Sequence, residues 1–155
     1  MDSHKVINDV LVHLFNEILQ LEEEAIITDE YSDISNNDMH IIEAVGLFGN
    51  NMSTIAAKLN ITVGSLTTSM NSLVKKGYTR RERSEKDRRV VFIYLTEKGR
   101  RAYDHHAQFH KEMAEAAMSE LTEEEIQILV RSLNDLAGFF RKYRKKPQKR
   151  KTLEA

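Results

Sequence analysis

The strongest constraint on the fold of this chain is an apolar rhythm that breaks twice in a short stretch. Steps of three and four residues stop at Asn60-Ile61 and again at Gly77, and alternation takes over beyond them. The first spacing belongs to helices and the second to strands. Ser53 reads as the cap of a short helix, Thr54 to Leu59, and Thr62 as the cap of a second, Val63 to Lys76, which Gly77 stops. Ile55, Ala56, Leu59, Ile61, Leu66, Met70 and Leu73 are spaced to lock the two at a steep angle. Small Ala56 and Ala57 permit a close approach, which is the spacing of a helix-turn-helix. Tyr78–Arg83 and Val90–Leu95 then read as two strands around the polar turn Ser84-Glu85-Lys86-Asp87.

Long helices flank this segment. Val6, Ile7, Val10, Leu11, Leu14, Phe15, Ile18, Leu21 and Ala25 predict one helix from Ser3 to Ile27. Ser35, ahead of Asp38, opens a second that turns Met39, Ile42 and Val45 inward and ends at Gly46 and Gly49-Asn50. Thr96 caps a long helix to about Glu120, and Thr122 with Glu125 forms a capping box for the last, to about Tyr143. The expected class is mainly α: a winged helix-turn-helix whose flanking helices form a helical dimerisation domain. The expected divisions are an N-terminal dimerisation helix (1–35), the DNA-binding domain (36–100), C-terminal dimerisation helices (101–143) and a basic flexible tail (144–155). The first helix and the last, with Ile126, Leu129, Val130, Leu133, Leu136 and Phe140, carry more apolar surface than one small winged-helix core can cover. A second copy of the chain would cover it.

The formal charge of −1 conceals a segregated distribution. Residues 1–60 balance to −9, 61–101 to +7, 102–140 to −6 and 141–155 to +7. Because charges beyond a Debye length are screened, a polyanion meets the local +7 and not the total. There is no cysteine, so disulfide scaffolds and thiolate chemistry are excluded. The start, Met1-Asp2-Ser3-His4-Lys5, lacks a signal-peptide layout, and the longest apolar run, Val90–Leu95, is too short to span a bilayer. A cytoplasmic protein without a membrane partner is expected.

Gly64, Ser65, Thr67, Thr68, Ser69 and Asn71 lie on or near the exposed side of the second short helix, with the cap residues Ser53 and Thr62 at the two helix starts. Hydroxyls and an amide can bond base edges and phosphates, and threonine methyls can meet thymine methyls. Lys75 and Lys76 suit phosphates. The hairpin gathers Arg80, Arg81, Arg83, Lys86, Arg88 and Arg89, which repel one another unless an anion is near. A long cation at such a tip fits a narrow minor groove. Asp87 is expected to orient a neighbouring arginine, since phosphate repels a carboxylate. No Walker loop, dinucleotide fingerprint, His-Glu-x-x-His or Gly-x-Ser-x-Gly occurs, so no enzyme class finds a foothold.

The stretch Ile55-Ala56…Leu59…Leu73…Lys76-Gly77-Tyr78…Arg83-Ser84…Asp87-Arg88-Arg89…Leu95-Thr96…Lys98-Gly99-Arg100 resembles the core signature of MarR-family regulators. The likeness covers nearly all of Met1 to Tyr143. It implies a homodimer joined through the first, fifth and sixth helices, acting on double-stranded DNA with a palindromic operator. It also implies that Arg89, held by Asp87, enters the minor groove, while Ser65, Thr67, Thr68 and Asn71 face the major groove. Many relatives carry arginine where Ser69 stands.

Two effectors are suggested. Ile34-Ser35…Asp38-Met39-His40…Ile42, Val63–Leu73 and His106…Phe109-His110-Lys111…Met113 resemble the fatty-acid-synthesis repressors of Gram-positive bacteria within that family. That likeness implies a repressor with an acylated acyl carrier protein as corepressor, the chain lodged among Leu14, Phe15, Ile18, Met39, Phe109 and Met113. The basic run Arg141–Lys151, or the wing flank, would dock an acidic carrier. The alternative is zinc. His106 and His110 stand four apart on one helix, and with His40 and Glu24 they offer nitrogen and oxygen ligands for a tetrahedral ion. The zinc-sensing repressors of streptococci look similar in drawing such ligands from these helices. No cofactor is required by either reading.

Overall fold

A computed structural model describes residues 2–26 and 28–145. The predicted tail beyond Lys145 lies outside them. Six helices and a small sheet follow in order: α1 Ser3–Ile26, α2 Asn36–Val45, β1 Asn50–Asn51, α3 Met52–Leu59, α4 Val63–Lys75, β2 Thr79–Arg83, β3 Val91–Leu95, α5 Glu97–Met118 and α6 Glu123–Lys145. A 3₁₀ turn, Asp29–Tyr31, leads from α1 towards α2. The chain divides into two compact units, Met1–Glu112 and Met113–Ala155.

In the first unit the helices begin where side chains supply the missing backbone partners. At α2 the Ser35 hydroxyl accepts from Asp38 N (3.1 Å) and the Asp38 carboxylate accepts from Ser35 N (3.1 Å), a complete capping box. Thr62 Oγ1 accepts from Ser65 N at the start of α4 (3.1 Å), and Thr96 Oγ1 from Gly99 N at the start of α5 (3.1 Å). The cap of α3 is Asn51, whose Oδ1 accepts from Thr54 N at 2.8 Å. Ser53 therefore stands exposed inside the first turn and is not the cap. The sheet is antiparallel in the order β1-β3-β2. Strand β1 could not be read from the sequence. It consists of two polar residues that become a strand only by pairing with Ile93 and Phe92.

The core fills the space between α2, α3, α4 and the sheet. Met39, Ile41, Ile42, Val45, Ile55, Leu66, Met70, Leu73, Tyr78 and Ile93 are all fully buried. By contrast, α1 buries only Glu22 and Ile26. Its Val6, Ile7, Val10, Leu11, Leu14, Phe15, Leu19 and Leu21 are exposed in the single chain.

In the second unit, Thr122 N and Oγ1 both donate to one Glu125 oxygen (2.9 Å each), which opens α6 as predicted. The helix then leaves Ile128, Val130, Leu133, Phe139, Phe140 and Tyr143 exposed. It also continues through Arg144 and Lys145, two residues past its predicted end.

Candidate nucleic-acid interface

Between α3 and α4 the chain turns sharply. Asn60 takes the left-handed conformation (φ 55°), and Ile61 N donates back to Ala56 O (3.0 Å). With Ile55, Ala56, Leu66, Met70 and Leu73 buried beneath, the outer face of α4 is left to Gly64, Ser65, Thr67, Thr68, Asn71 and Lys75, all exposed. Ser69 is only half exposed. Some of these groups are already engaged. Thr67 Oγ1 donates to Val63 O (2.8 Å), and Thr62 Oγ1 donates to Ser65 Oγ (3.0 Å). The Asn71 amide oxygen accepts from Arg81 Nη2 on β2 (2.6 Å). A β-carbon at Gly64 would meet nothing closer than Thr62 Oγ1 at 3.9 Å, so the position is open outwards.

The wing is the β2–β3 hairpin. Its tip is held internally: Ser84 Oγ accepts from Lys86 N and Asp87 N (3.3 Å each), Ser84 N donates to Val90 O (3.0 Å), and Val90 N donates to Asp87 O (2.9 Å). The Asp87 carboxylate accepts from the backbone N–H of Arg89 (3.0 Å). It therefore steadies the main chain beneath that arginine. Arg83, Arg88 and Arg89 are exposed, and among the described residues they make no ion pair.

Not every predicted cation is free. Arg80 pairs with Glu82 and lies over the Tyr94 ring (4.8 Å), on the strand face away from α4. Lys76 turns to Asp38 (3.5 Å), so Lys75 alone at that helix end points to solvent. A cleft of about 720 Å³ runs between wing and helix pair, lined by Ser53, Val63, Thr67, Arg81, Arg83 and Arg89 among others. An anionic strand lying there would meet three guanidinium groups and two hydroxyls.

The predicted metal ligands gather with one exchange. Glu24 is exposed and bonds Gln20 (2.9 Å), whereas Glu22 is buried. Glu22 Oε1 lies 3.3 Å from His110 Nε2, 3.4 Å from His40 Nε2 and 3.6 Å from His106 Nε2. The nitrogens of His106 and His110 are 3.0 Å apart. Bonds of 2.0–2.1 Å to a tetrahedral ion set ligands about 3.3 Å apart. Among the described residues the groups that lie mutually within 4.8 Å form two overlapping triads, Glu22 with His40 and His106, and Glu43 with His106 and His110. Each triad offers three ligands, and the sequence had not pointed to Glu43. Burial, then the neighbouring charge of His110, holds the His106 pKa below its ordinary value and keeps the ring neutral, as a ligand must be. Glu22 was legible as the carboxylate that follows Ile18 by one helical step on the inward stripe.

The predicted acyl-pocket residues are less uniform. Met39 is fully buried in the core, Leu14 and Phe15 are exposed, and Ile18 and Phe109 are half-buried. Met113 is half-buried in the second unit.

A helix pair with an exposed polar face, followed by a cationic two-stranded wing, defines a winged-helix DNA-binding protein. The family model described as transcriptional regulator SarA/Rot matches residues 24–106. FabT of Streptococcus pneumoniae, solved in complex with DNA, is 38% identical, with a TM-score of 0.83 over 91% of this chain and 99% of that one. The transcriptional regulator AdcR of S. pneumoniae is 28% identical over 108 residues, covering 68% of this chain and 74% of AdcR. A MarR transcriptional regulator from Methanosarcina mazei shares the fold at a TM-score of 0.65 and 23% identity, over 90% of this chain and 99% of that one. The chain belongs to the MarR family of winged-helix transcription regulators. Its relatives are transcription regulators and not enzymes, and FabT was solved bound to DNA. Among the described residues, no helix is long and apolar enough to cross a membrane.

Proposed function

We propose that this regulator is a cytoplasmic repressor that grips an inverted-repeat operator as a homodimer. The observation that carries the reading is the pair of unpaired cations, Arg83 and Arg89, lining a cleft beside the hydroxyl-bearing face of α4, with Arg88 exposed on the same wing tip. In this reading Ser65, Thr67, Thr68 and Asn71 meet base edges. Ser53, Thr62, Gly64 and Lys75 approach the backbone. Arg89 enters the minor groove from a wing that Asp87 steadies. The exposed apolar residues of α1 and α6 supply the surface on which two copies pair. A two-fold dimer sets its half-sites about 34–36 Å apart. Hydroxyl-radical footprinting tests this. Two protected patches at that spacing are expected, and a single patch, or none, would refute the dimeric grip.

Control of fatty-acid biosynthesis, with an acyl chain on acyl carrier protein as corepressor, follows from the sequence likeness to the fatty-acid-synthesis repressors. The exposed Leu14 and Phe15 and the half-buried Ile18 and Phe109 support an apolar lining. Met39 would have to repack to admit a chain, which a flexible thioether does more readily than a branched side chain. A second reading is favoured by one observation, the two overlapping three-ligand clusters that share His106, one with Glu22 and His40 and one with Glu43 and His110. Native mass spectrometry of the purified protein separates the two. A retained fatty-acyl species supports the first, and a single bound zinc that is lost in Glu22→Gln supports the second.

A further inference from the structure

Asn71 does not present a free amide. Arginine can only donate, so the atom it bonds on Asn71 is necessarily the acceptor oxygen. The contact follows from the alternation of β2. Thr79 points inward and donates to Met70 Sδ (3.4 Å), and two residues further Arg81 reaches the next residue of α4, Asn71, at 2.6 Å. The Asn71 Nδ2 group makes no hydrogen bond among the described residues. Both side chains are exposed, and Arg81 also lines the cleft between helix and wing.

A free asparagine reads adenine with both arms, its oxygen accepting from N6 and its nitrogen donating to N7. Here a guanidinium sits on the oxygen arm. An approaching amino group would meet further N–H donors there and not an open lone pair. What remains is the Nδ2 donor, which suits base edges that only accept: guanine N7 and O6, or thymine O4.

We propose that Arg81 is a specificity-positioning residue, which turns Asn71 into a donor-only reader that selects guanine or thymine and disfavours adenine and cytosine at one position in each half-site. The proposal rests on α4 entering the major groove. It adds which bases the helix selects at that position and which residue enforces the choice.

Selection of binding sites from a randomised duplex library by the full chain, with salt-dependent affinities for the winners, tests it. The wild-type protein should enrich guanine or thymine at one position per half-site, by about tenfold over adenine. Asn71→Ala should erase that preference. Arg81→Ala frees the amide and should move the preference to adenine. Asn71→Asp keeps an acceptor towards Arg81 but removes the donor, and should move it to the amino-bearing bases cytosine or adenine. Melting temperatures should stay at the wild-type value, since both residues are exposed. If Arg81→Ala lowers affinity evenly and reduces the salt slope by about one while base preference stays unchanged, Arg81 is a phosphate contact only, and the proposal is overturned. Adenine enriched by the wild-type protein at the Asn71-dependent position would overturn it too. A wild-type protein that enriches no sequence refutes entry of α4 into the groove, and with it both readings.

Discussion

Gly99, in the first turn of α5, lies directly beneath the Tyr78 carbonyl, so close that no β-carbon fits between them. The same carbonyl accepts from Thr96 N (3.0 Å) and Thr96 Oγ1 (3.1 Å), so the end of α4, the start of the wing and the start of α5 meet at one peptide group. The obstacle is backbone and cannot move aside like a side-chain tip. Gly99→Ala should therefore destabilise the protein by at least about 2 kcal/mol, read as a lowered urea midpoint. Gly64→Ala, with open space around its position, should leave that midpoint within about 0.5 kcal/mol of wild type.

The cap of α3 makes a paired prediction. Asn51→Ala removes the oxygen that satisfies Thr54 N and should cost about 1 kcal/mol of stability. Ser53→Ala should leave stability unchanged while weakening DNA binding, because Ser53 faces the cleft and holds no helix end. Chemical denaturation separates the two variants, since the urea midpoint should fall in Asn51→Ala alone, and anisotropy titration should show Ser53→Ala losing affinity at wild-type stability.

What the sequence disclosed and what it withheld divide along one line. Capping boxes at Ser35/Asp38 and Thr122/Glu125, the turn at Asn60 and the wing are local, and their residues signal them over a span of a few positions. Long-range features stayed hidden. Asn50-Asn51 is a strand only because β3 passes beside it, and that pairing also places Asn51 rather than Ser53 at the helix start. Glu22 continues the apolar stripe of α1 four residues after Ile18 and Glu24 does not, but only the packing shows that this stripe meets the histidines. The six cations of the wing looked equivalent too, until Glu82 took Arg80 and Asn71 took Arg81.

A pH dependence is expected from Tyr78 and Asp33. The Tyr78 hydroxyl donates to Asp33 Oδ1 at 2.6 Å, and Lys98 lies 3.4 Å from the other oxygen. The hydroxyl first, and the ammonium after it, hold the Asp33 carboxyl below its ordinary value. A carboxylate with a lowered folded pKa stabilises fully above its unfolded pKa, and the stabilisation is lost as pH falls through the folded one. Burial, then the Asp33 charge, raises the Tyr78 pKa, so its contribution holds below the unfolded tyrosine value of about 10 and is lost as pH rises above it. The difference in stability between wild type and Asp33→Asn should thus be widest near neutrality and close below about pH 4. It should stay under about 1 kcal/mol, because Asp33 is well exposed.

The wing offers the sharpest separation of roles. Arg89 projects from a turn whose backbone is held by Asp87, and its side chain packs against no acidic partner among the described residues. Arg89→Ala should weaken operator binding about tenfold and reduce the salt slope by about one, with an unchanged melting temperature. Asp87→Ala decides what the carboxylate is for. If it merely stood near phosphate, removing its charge would tighten binding. Because it bonds the Arg89 backbone at 3.0 Å, its loss should instead loosen the tip and weaken binding by less than the arginine substitution does. The double variant should then bind no worse than Arg89→Ala alone, since a support has no effect once the side chain it supports is gone. Anisotropy titrations of the three variants at two salt concentrations measure this directly, and additive losses would show that Asp87 acts on DNA by a route that does not pass through Arg89.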